Sequence, residues 1–195
     1  MAEAASRPSG TRWAPRAGYA GGHLLPAPAR CHSFSSRDRL LGYRQALTEA
    51  DIHLDDDLVV TTPPRDKRGT TQAVGNLLSL REPPTAIFAE QDELAASLIL
   101  SLRTVQIEVL ERISVLGFDD QLMAEWLDLS TVAQSPSDMG RAAAELALEL
   151  INDSDADLSR HIVLPTRLIP RGTTAPPPAP QGEREGNSPT EGRNA

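Results

Sequence analysis

The chain has 195 residues, a formal net charge of −8, 39% hydrophobic and 24% charged residues. That is enough for one core-forming domain or two small lobes, while no apolar run approaches the roughly 20 residues of a membrane span. The single cysteine, Cys31, excludes an internal disulfide framework and a multi-cysteine zinc site, and the opening residues lack the apolar core of a secretory signal; all of this favours the cytosol.

The charge is unevenly spread. Residues 1–36 carry +3, residues 37–174 carry −10 and residues 175–195 carry −1. A middle region this acidic is a poor partner for phosphate backbones, so it is not expected to read DNA itself.

In chain order, residues 1–32 show no sustained period and are broken by Pro26 and Pro28, so they read as an irregular leader. Arg37 to Ala50 reads as a helix, with Leu40, Tyr43, Leu47 and Ala50 on one face and Ser35 or Ser36 as its cap. Leu58 to Thr62 is β-branched and stops at Pro63-Pro64, which predicts a short strand. A second helix follows over Thr70 to Leu80. Thr85 to Ala89 is an apolar strand of the kind covered on both faces. Asp92 to Arg103 is a third helix, Ile113 to Phe118 another buried strand, and Leu122 to Leu127 a short helical stretch. Thr131 to Ala133 is extended. Pro136 sits where a first helical turn tolerates it, and Ser137 to Asn152 form the longest helix, with Met139, Ala143, Leu146, Ala147 and Leu150 on its stripe. His161 to Leu164 and Thr166 to Ile169 are the last predicted strands. Residues 175–195 open Ala-Pro-Pro-Pro and stay polar, the composition of a disordered tail.

Strands alternating with helices predict an α/β fold with a mainly parallel sheet. Ligands in such sheets bind beyond the carboxyl ends of the strands. The ends to watch are therefore Glu90-Gln91-Asp92, Asp119-Asp120 and Gln134-Ser135. Asp119 and Asp120 could bind a metal, accept a phosphoryl group or accept hydrogen bonds from ligand hydroxyls; the plainer alternative is a loop and helix cap. Arg39 could bridge two ligand oxygens through its planar fork or simply sit in solvent. His23, His32, His53 and His161 are scattered and offer no zinc spacing. Adjacent Cys31 and His32 point apart in an extended chain, which argues against a nucleophile and its base. No nucleophile elbow, phosphate-binding loop or dinucleotide fingerprint occurs. No enzymatic activity, catalytic residue, metal or cofactor is expected.

Several segments then line up in order and spacing with a known family: Ser33 to Leu47, Pro84 to Ala89, Arg112 to Asp120, Ser130 to Gln134, Met139 to Ala143, His161 to Leu168 and Arg171 to Thr174. Over residues 33–176 the chain resembles the effector-sensing domain of the LacI/GalR transcription regulators. The resemblance implies a fold like a class I periplasmic binding protein, a parallel-sheet sensor with one lobe nearly complete and the other mostly missing. The partial sensor domain would run over residues 33–174. It implies a sugar or related polar metabolite as effector, operator DNA reached only through an amino-terminal helix-turn-helix domain that this sequence lacks, and a homodimer in the full-length family, in the cytoplasm and away from membranes.

The residues the resemblance assigns to the effector are Arg39, Ser35, Asp119, Gln134, Gln91 and Asp92. Gln91 stands where the family has asparagine, and no aromatic lies near Arg65 or Asp66 where a ring-stacking side chain would fall; an anionic or highly polar effector is one consequence. The helix from Ser137 would belong to the missing lobe and leave its stripe without part of its partner. Three readings follow: the carboxyl-terminal piece of a repressor-type regulator, a stand-alone small-molecule binder without a DNA reader, and a small enzyme or phosphoacceptor at Asp119 or Asp120. The last is weakened because the sole lysine, Lys67, is expected in a loop.

Overall fold

A computed structural model describes residues 16–22, 33–62, 66–152 and 160–176. The expected stop at Pro63-Pro64, the proline-broken stretch 23–32 and the expected tail from residue 177 lie outside those residues. The described chain contains strands β1 (Ala17–Gly22), β2 (Val59–Thr62), β3 (Ala86–Ala89), β4 (Ser114–Asp119), β5 (Thr131–Ala133) and β6 (Arg167–Ile169). Its helices are α1 (Ser33–Glu49), α2 (Lys67–Leu78), α3 (Asp92–Thr104), α4 (Leu122–Trp126) and α5 (Pro136–Asn152), with a 3-10 turn at Asp56–Leu58.

The strands form one sheet in the order β2-β1-β3-β4-β5-β6. The first five are parallel neighbours and β6 returns antiparallel to β5. With that order, right-handed crossovers send α1 to one face and α2 and α3 to the other. The packing agrees. Leu77, Leu98, Ile99 and Leu102 bury against Leu58, Ile87 and Val115 in the larger core. On the opposite face Tyr43 and Leu47 of α1 bury against Tyr19 of β1. The apolar stripes of α2 and α3 thus find the sheet, as their spacing predicts.

Four expectations need correction. The span 1–32 is not irregular throughout, because Ala17–Gly22 forms an interior strand paired to both β2 and β3. Its sequence, Ala-Gly-Tyr-Ala-Gly-Gly, carries almost no β-propensity. The small residues are there for close approach: a side chain at Gly21 would run into the Tyr19 ring and the Glu90 carboxylate. Second, α1 begins at Ser33, so Ser35 and Ser36 lie inside its first turn rather than capping it. Third, residues 161–164 join no ladder, and Val163 is 77% exposed; a β-branched run without a neighbouring strand edge has nothing to pair with. Fourth, α2 opens earlier than predicted, at Lys67, because the Asp66 side chain accepts the Arg68 N–H and caps it.

Helix α5 leaves the sheet after β5 and buries none of its residues. Its acidic and basic side chains, Asp138, Arg141, Glu145 and Glu149, share one face. Met139, Ala143, Ala147, Leu150 and Ile151 share the other, as helical periodicity requires.

Candidate functional site

The parallel strands end on the same edge of the sheet, and three polar side chains meet there. β4 and β5 are in register with Asp119 opposite Ala133, so Gln134, one residue further, stands beside Asp119. Gln134 Nε2 donates to Asp119 Oδ1 at 2.6 Å. Arg39 reaches over from the second turn of α1. Its Nη2 lies 3.4 Å from the same Asp119 oxygen, and its Nη1 donates to the Glu90 carbonyl at 2.6 Å. The guanidinium carbon sits 4.0 Å from the centroid of the Phe118 ring, a cation–π stack that fixes the plane of the fork. The Arg39 and Asp119 side chains keep 16% and 22% of their exposure, so the cluster is sheltered yet reachable.

Asp119 and Asp120 both hold left-handed backbone, with φ of 112° and 55°. For residues other than glycine this costs about 1–3 kcal/mol each and gathers at functional loops. The turn separates the two carboxylates. Asp119 faces Arg39 and Gln134, while Asp120 pairs with Arg171 Nη2 at 2.8 Å. Arg171 Nη1 donates to the Leu129 carbonyl at 2.9 Å, and the buried Thr173 hydroxyl accepts from Ser130 N–H and donates to the Val115 carbonyl. Asp120 therefore helps stitch the returning segment along β4 and β5.

Asp92 departs from the role the resemblance gave it. It is fully buried. One carboxylate oxygen accepts the Thr131 hydroxyl at 2.6 Å and the other accepts the Gln121 N–H at 2.8 Å. Burial raises its pKa above the ordinary carboxylate value, with those two hydrogen bonds pulling the other way. Gly117 lets this happen, since any side chain there would overlap the Asp92 carboxylate. The group is a brace between α3, the β4–α4 turn and β5, with both carboxylate oxygens already engaged.

Gln91 and Ser35 are both exposed, Gln91 as the residue before α3 and Ser35 in the first turn of α1. Neither is joined to the Arg39–Asp119–Gln134 cluster by a hydrogen bond. Sequence reasoning missed three partners: Phe118 under Arg39, the Asp120–Arg171 pair, and Tyr19, whose hydroxyl donates to the buried Glu90 at 3.1 Å. Burial and the Glu90 charge together push the Tyr19 phenol pKa well up. The first of these had a signal, since a Gly-Phe-Asp strand end places an aromatic one residue from the carboxylate. Among the described residues, no group of three or more His, Cys, Asp or Glu side chains could hold a metal ion. No described helix is long and apolar enough to cross a membrane.

Residues 15–174 match the family model of the periplasmic binding protein-like domain. The chain belongs to this family, as found in LacI/GalR regulators. It is 37% identical over 142 residues to the HTH-type transcriptional regulator DegA of Bacillus subtilis, covering 72% of this chain and 41% of that one. With GalR of Escherichia coli it shares 36% over 149 residues, covering 75% and 43%. Among solved structures it is similar to a CelR–cellobiose complex, with a TM-score of 0.70, 27% identity, and coverage of 85% of this chain and 48% of that chain. A LacI-family regulator from Enterococcus faecium with bound ribose gives 0.67 and 27%, covering 83% and 57%. The chain thus spans under half the length of these curated relatives, and its sheet is that of the family's sensor. These relatives are transcriptional regulators, and two of their solved counterparts hold sugars.

Proposed function

We propose that this chain is the ligand-sensing portion of a LacI-type regulator acting in the bacterial cytoplasm, and that it binds a sugar or similar hydroxyl-rich metabolite at the Arg39–Asp119–Gln134 cluster. The convergence of these three side chains at the carboxyl edge of the sheet carries the reading. Asp119 uses Oδ1 for both Arg39 and Gln134, and a carboxylate has about four acceptor sites. Its other oxygen is therefore the acceptor for a ligand hydroxyl. The Arg39 fork, held flat on Phe118, supplies donors in one plane. Gln91 and Ser35, both exposed, are the further side chains that would meet the outer hydroxyls of a bound molecule. The similarity to regulators crystallised with cellobiose and ribose supports a sugar over a metal or phosphoryl group.

Operator DNA would be contacted by a separate helix-turn-helix domain, in a homodimer of the whole regulator. The acidic balance of residues 37–174 supports leaving DNA to another domain. It equally supports a stand-alone sensor with no DNA contact.

Titration calorimetry against a panel of pentoses, hexoses, disaccharides, sugar phosphates and nucleosides tests the reading. At least one should bind, and Asp119→Asn should weaken it by about tenfold or more, the usual loss of a charge-assisted hydrogen bond. A folded sample that binds none of them would overturn it. Adding a regulator's operator-binding half by fusion, then measuring ligand-dependent operator release, separates the sensor of a regulator from a stand-alone binder.

A further inference from the structure

A second carboxylate adjoins the Arg39–Asp119–Gln134 cluster. Glu90, the residue after β3, is 3% exposed, and its backbone carbonyl accepts from Arg39 Nη1 at 2.6 Å. Its side chain lies on the α1 side of the sheet, where Oε2 accepts from the Tyr19 hydroxyl at 3.1 Å. The Ser36 carbonyl, in the first turn of α1, lies 3.3 Å from the same hydroxyl. Arg39 follows Ser36 by about one helical turn. Gly21 makes room for the pair, since a Cβ there would come 2.5 Å from the Tyr19 ring and 3.0 Å from Glu90 Oε2. The arginine of the cluster thus rests on a residue that carries a buried carboxylate. In formal charges, Arg39 stands against both Asp119 and Glu90, while Asp120 is offset by Arg171. Arg37 and Asp38, exposed on α1, cancel each other.

We propose that Glu90 sets the charge class of the ligand: together with Asp119 it makes the site select a neutral or amino-bearing polyhydroxyl compound and exclude phosphorylated and acidic sugars. This rests on the cluster being the ligand site and narrows what that site takes. The missing ring-stacking aromatic near Arg65 and Asp66 leaves an anionic and a highly polar effector as alternatives, and the charges favour the second. An arginine fork at a strand edge ordinarily suits a phosphate. Here the fork is committed on two sides, Nη1 to the Glu90 carbonyl and Nη2 to Asp119, and Phe118 covers one of its planar faces. An anion reaching the remaining N–H groups is brought beside two carboxylates, one of them buried where salt and water screen it poorly. A hydroxyl meets no such repulsion, because it donates to Asp119 and accepts from Arg39. An ammonium group is attracted by both carboxylates. Glu90 is also a positioning residue: its carbonyl holds Arg39 directly, and through Tyr19 its carboxylate is tied to the first turn of α1.

The test is calorimetry on the full chain with glucose, galactose and ribose, each offered as the neutral sugar, the amino sugar, the phosphate ester and the sugar acid. A skeleton that binds should do so at least about tenfold more tightly in its neutral or amino form than as phosphate or acid. Glu90→Gln removes the charge while keeping the size and an acceptor for the Tyr19 hydroxyl, and should shrink that preference about tenfold. A preference ratio is a readout that a purely structural role would not move. Glu90→Ala, which leaves the Tyr19 hydroxyl the Ser36 carbonyl, is the second charge-removing variant should the first not fold. Another arm uses inorganic phosphate alone, followed by the side-chain N–H signals of Arg39 and Gln134 in NMR spectra. Phosphate should bind the parent at least about tenfold more weakly than it binds the charge-removed variant. Two results overturn the proposal: a phosphorylated or acidic sugar that binds the parent as tightly as its neutral form, or inorganic phosphate that binds parent and variant alike. If no sugar of any charge binds, the function proposed above falls, and the inorganic phosphate comparison decides this inference by itself.

Discussion

Asp92 and Asp119 stand at the ends of neighbouring strands and do opposite things. Asp92 follows β3, is buried, and spends both carboxylate oxygens on bonds that tie α3 to the β4–α4 turn and to β5. Asp119 ends β4, keeps part of its surface, and uses one oxygen for two donors from α1 and the loop after β5. The difference comes from depth and backbone. Asp92 opens a regular helix whose side chain dips under Gly117, whereas the left-handed backbone at Asp119 turns its carboxylate toward the edge. An identical residue type at an equivalent strand end is a buried brace in one case and a partly exposed edge group, the proposed ligand contact, in the other, and solvent access separates them.

The comparison breaks first at Asp92. Asp92→Ala should cost about 3 kcal/mol or more, because it strands the Gln121 N–H and the Thr131 hydroxyl without a partner; urea unfolding measures it. Gly117→Ala should cost about 2–3 kcal/mol by forcing the Asp92 carboxylate aside. Equal stability of Gly117→Ala and the parent would mean the two groups do not press together.

Asp119→Asn should change stability by under about 0.5 kcal/mol, since asparagine tolerates left-handed backbone and can still accept from Gln134. Its effect should appear in ligand affinity instead. Loss of stability as large as at Asp92 would erase the distinction between the two sites.

The two aspartates should also differ in their pH signatures. A carboxyl whose pKa is raised by folding holds its proton more tightly in the native state. The contribution of Asp92 to stability is therefore greatest below its ordinary 3.8 and declines as pH rises through its folded value. Asp92→Asn removes that slope, so the difference between the two stability profiles should widen in the acid range and be flat above it. Tyr43 gives the smallest effect. Its hydroxyl donates to the Ala17 carbonyl at 2.5 Å and burial pushes its pKa from 10.0 up to about 12. Stability should fall between those two pH values, and Tyr43→Phe should flatten the fall at a cost of about 1 kcal/mol at neutral pH.

Much of the sheet was readable because burial writes itself as pattern. Ile87 to Ala89 and Val115 to Phe118 are apolar runs, and Leu98 and Leu102 recur at helical spacing, so β3, β4 and α3 follow from local sequence. Strand β1 did not. Its Ala-Gly-Tyr-Ala-Gly-Gly sequence answers to crowding by segments far along the chain: Leu58 and Pro84 press on Gly18, and Glu90 presses on Gly21. The Arg39–Asp119–Gln134 cluster was legible as a resemblance and as a strand-end rule, but its inner geometry was not.

What the amino-acid sequence decided alone was the succession of strands and helices, the edge where polar groups collect, and the amphipathic character of α5, because each depends on residues close together in the chain. Folding decided which aspartate is buried and which is offered, since desolvation depends on neighbours brought in from distant segments. It also decided that, among the described residues, nothing buries the α5 stripe, a fact of how elements are arranged in space that no local period records.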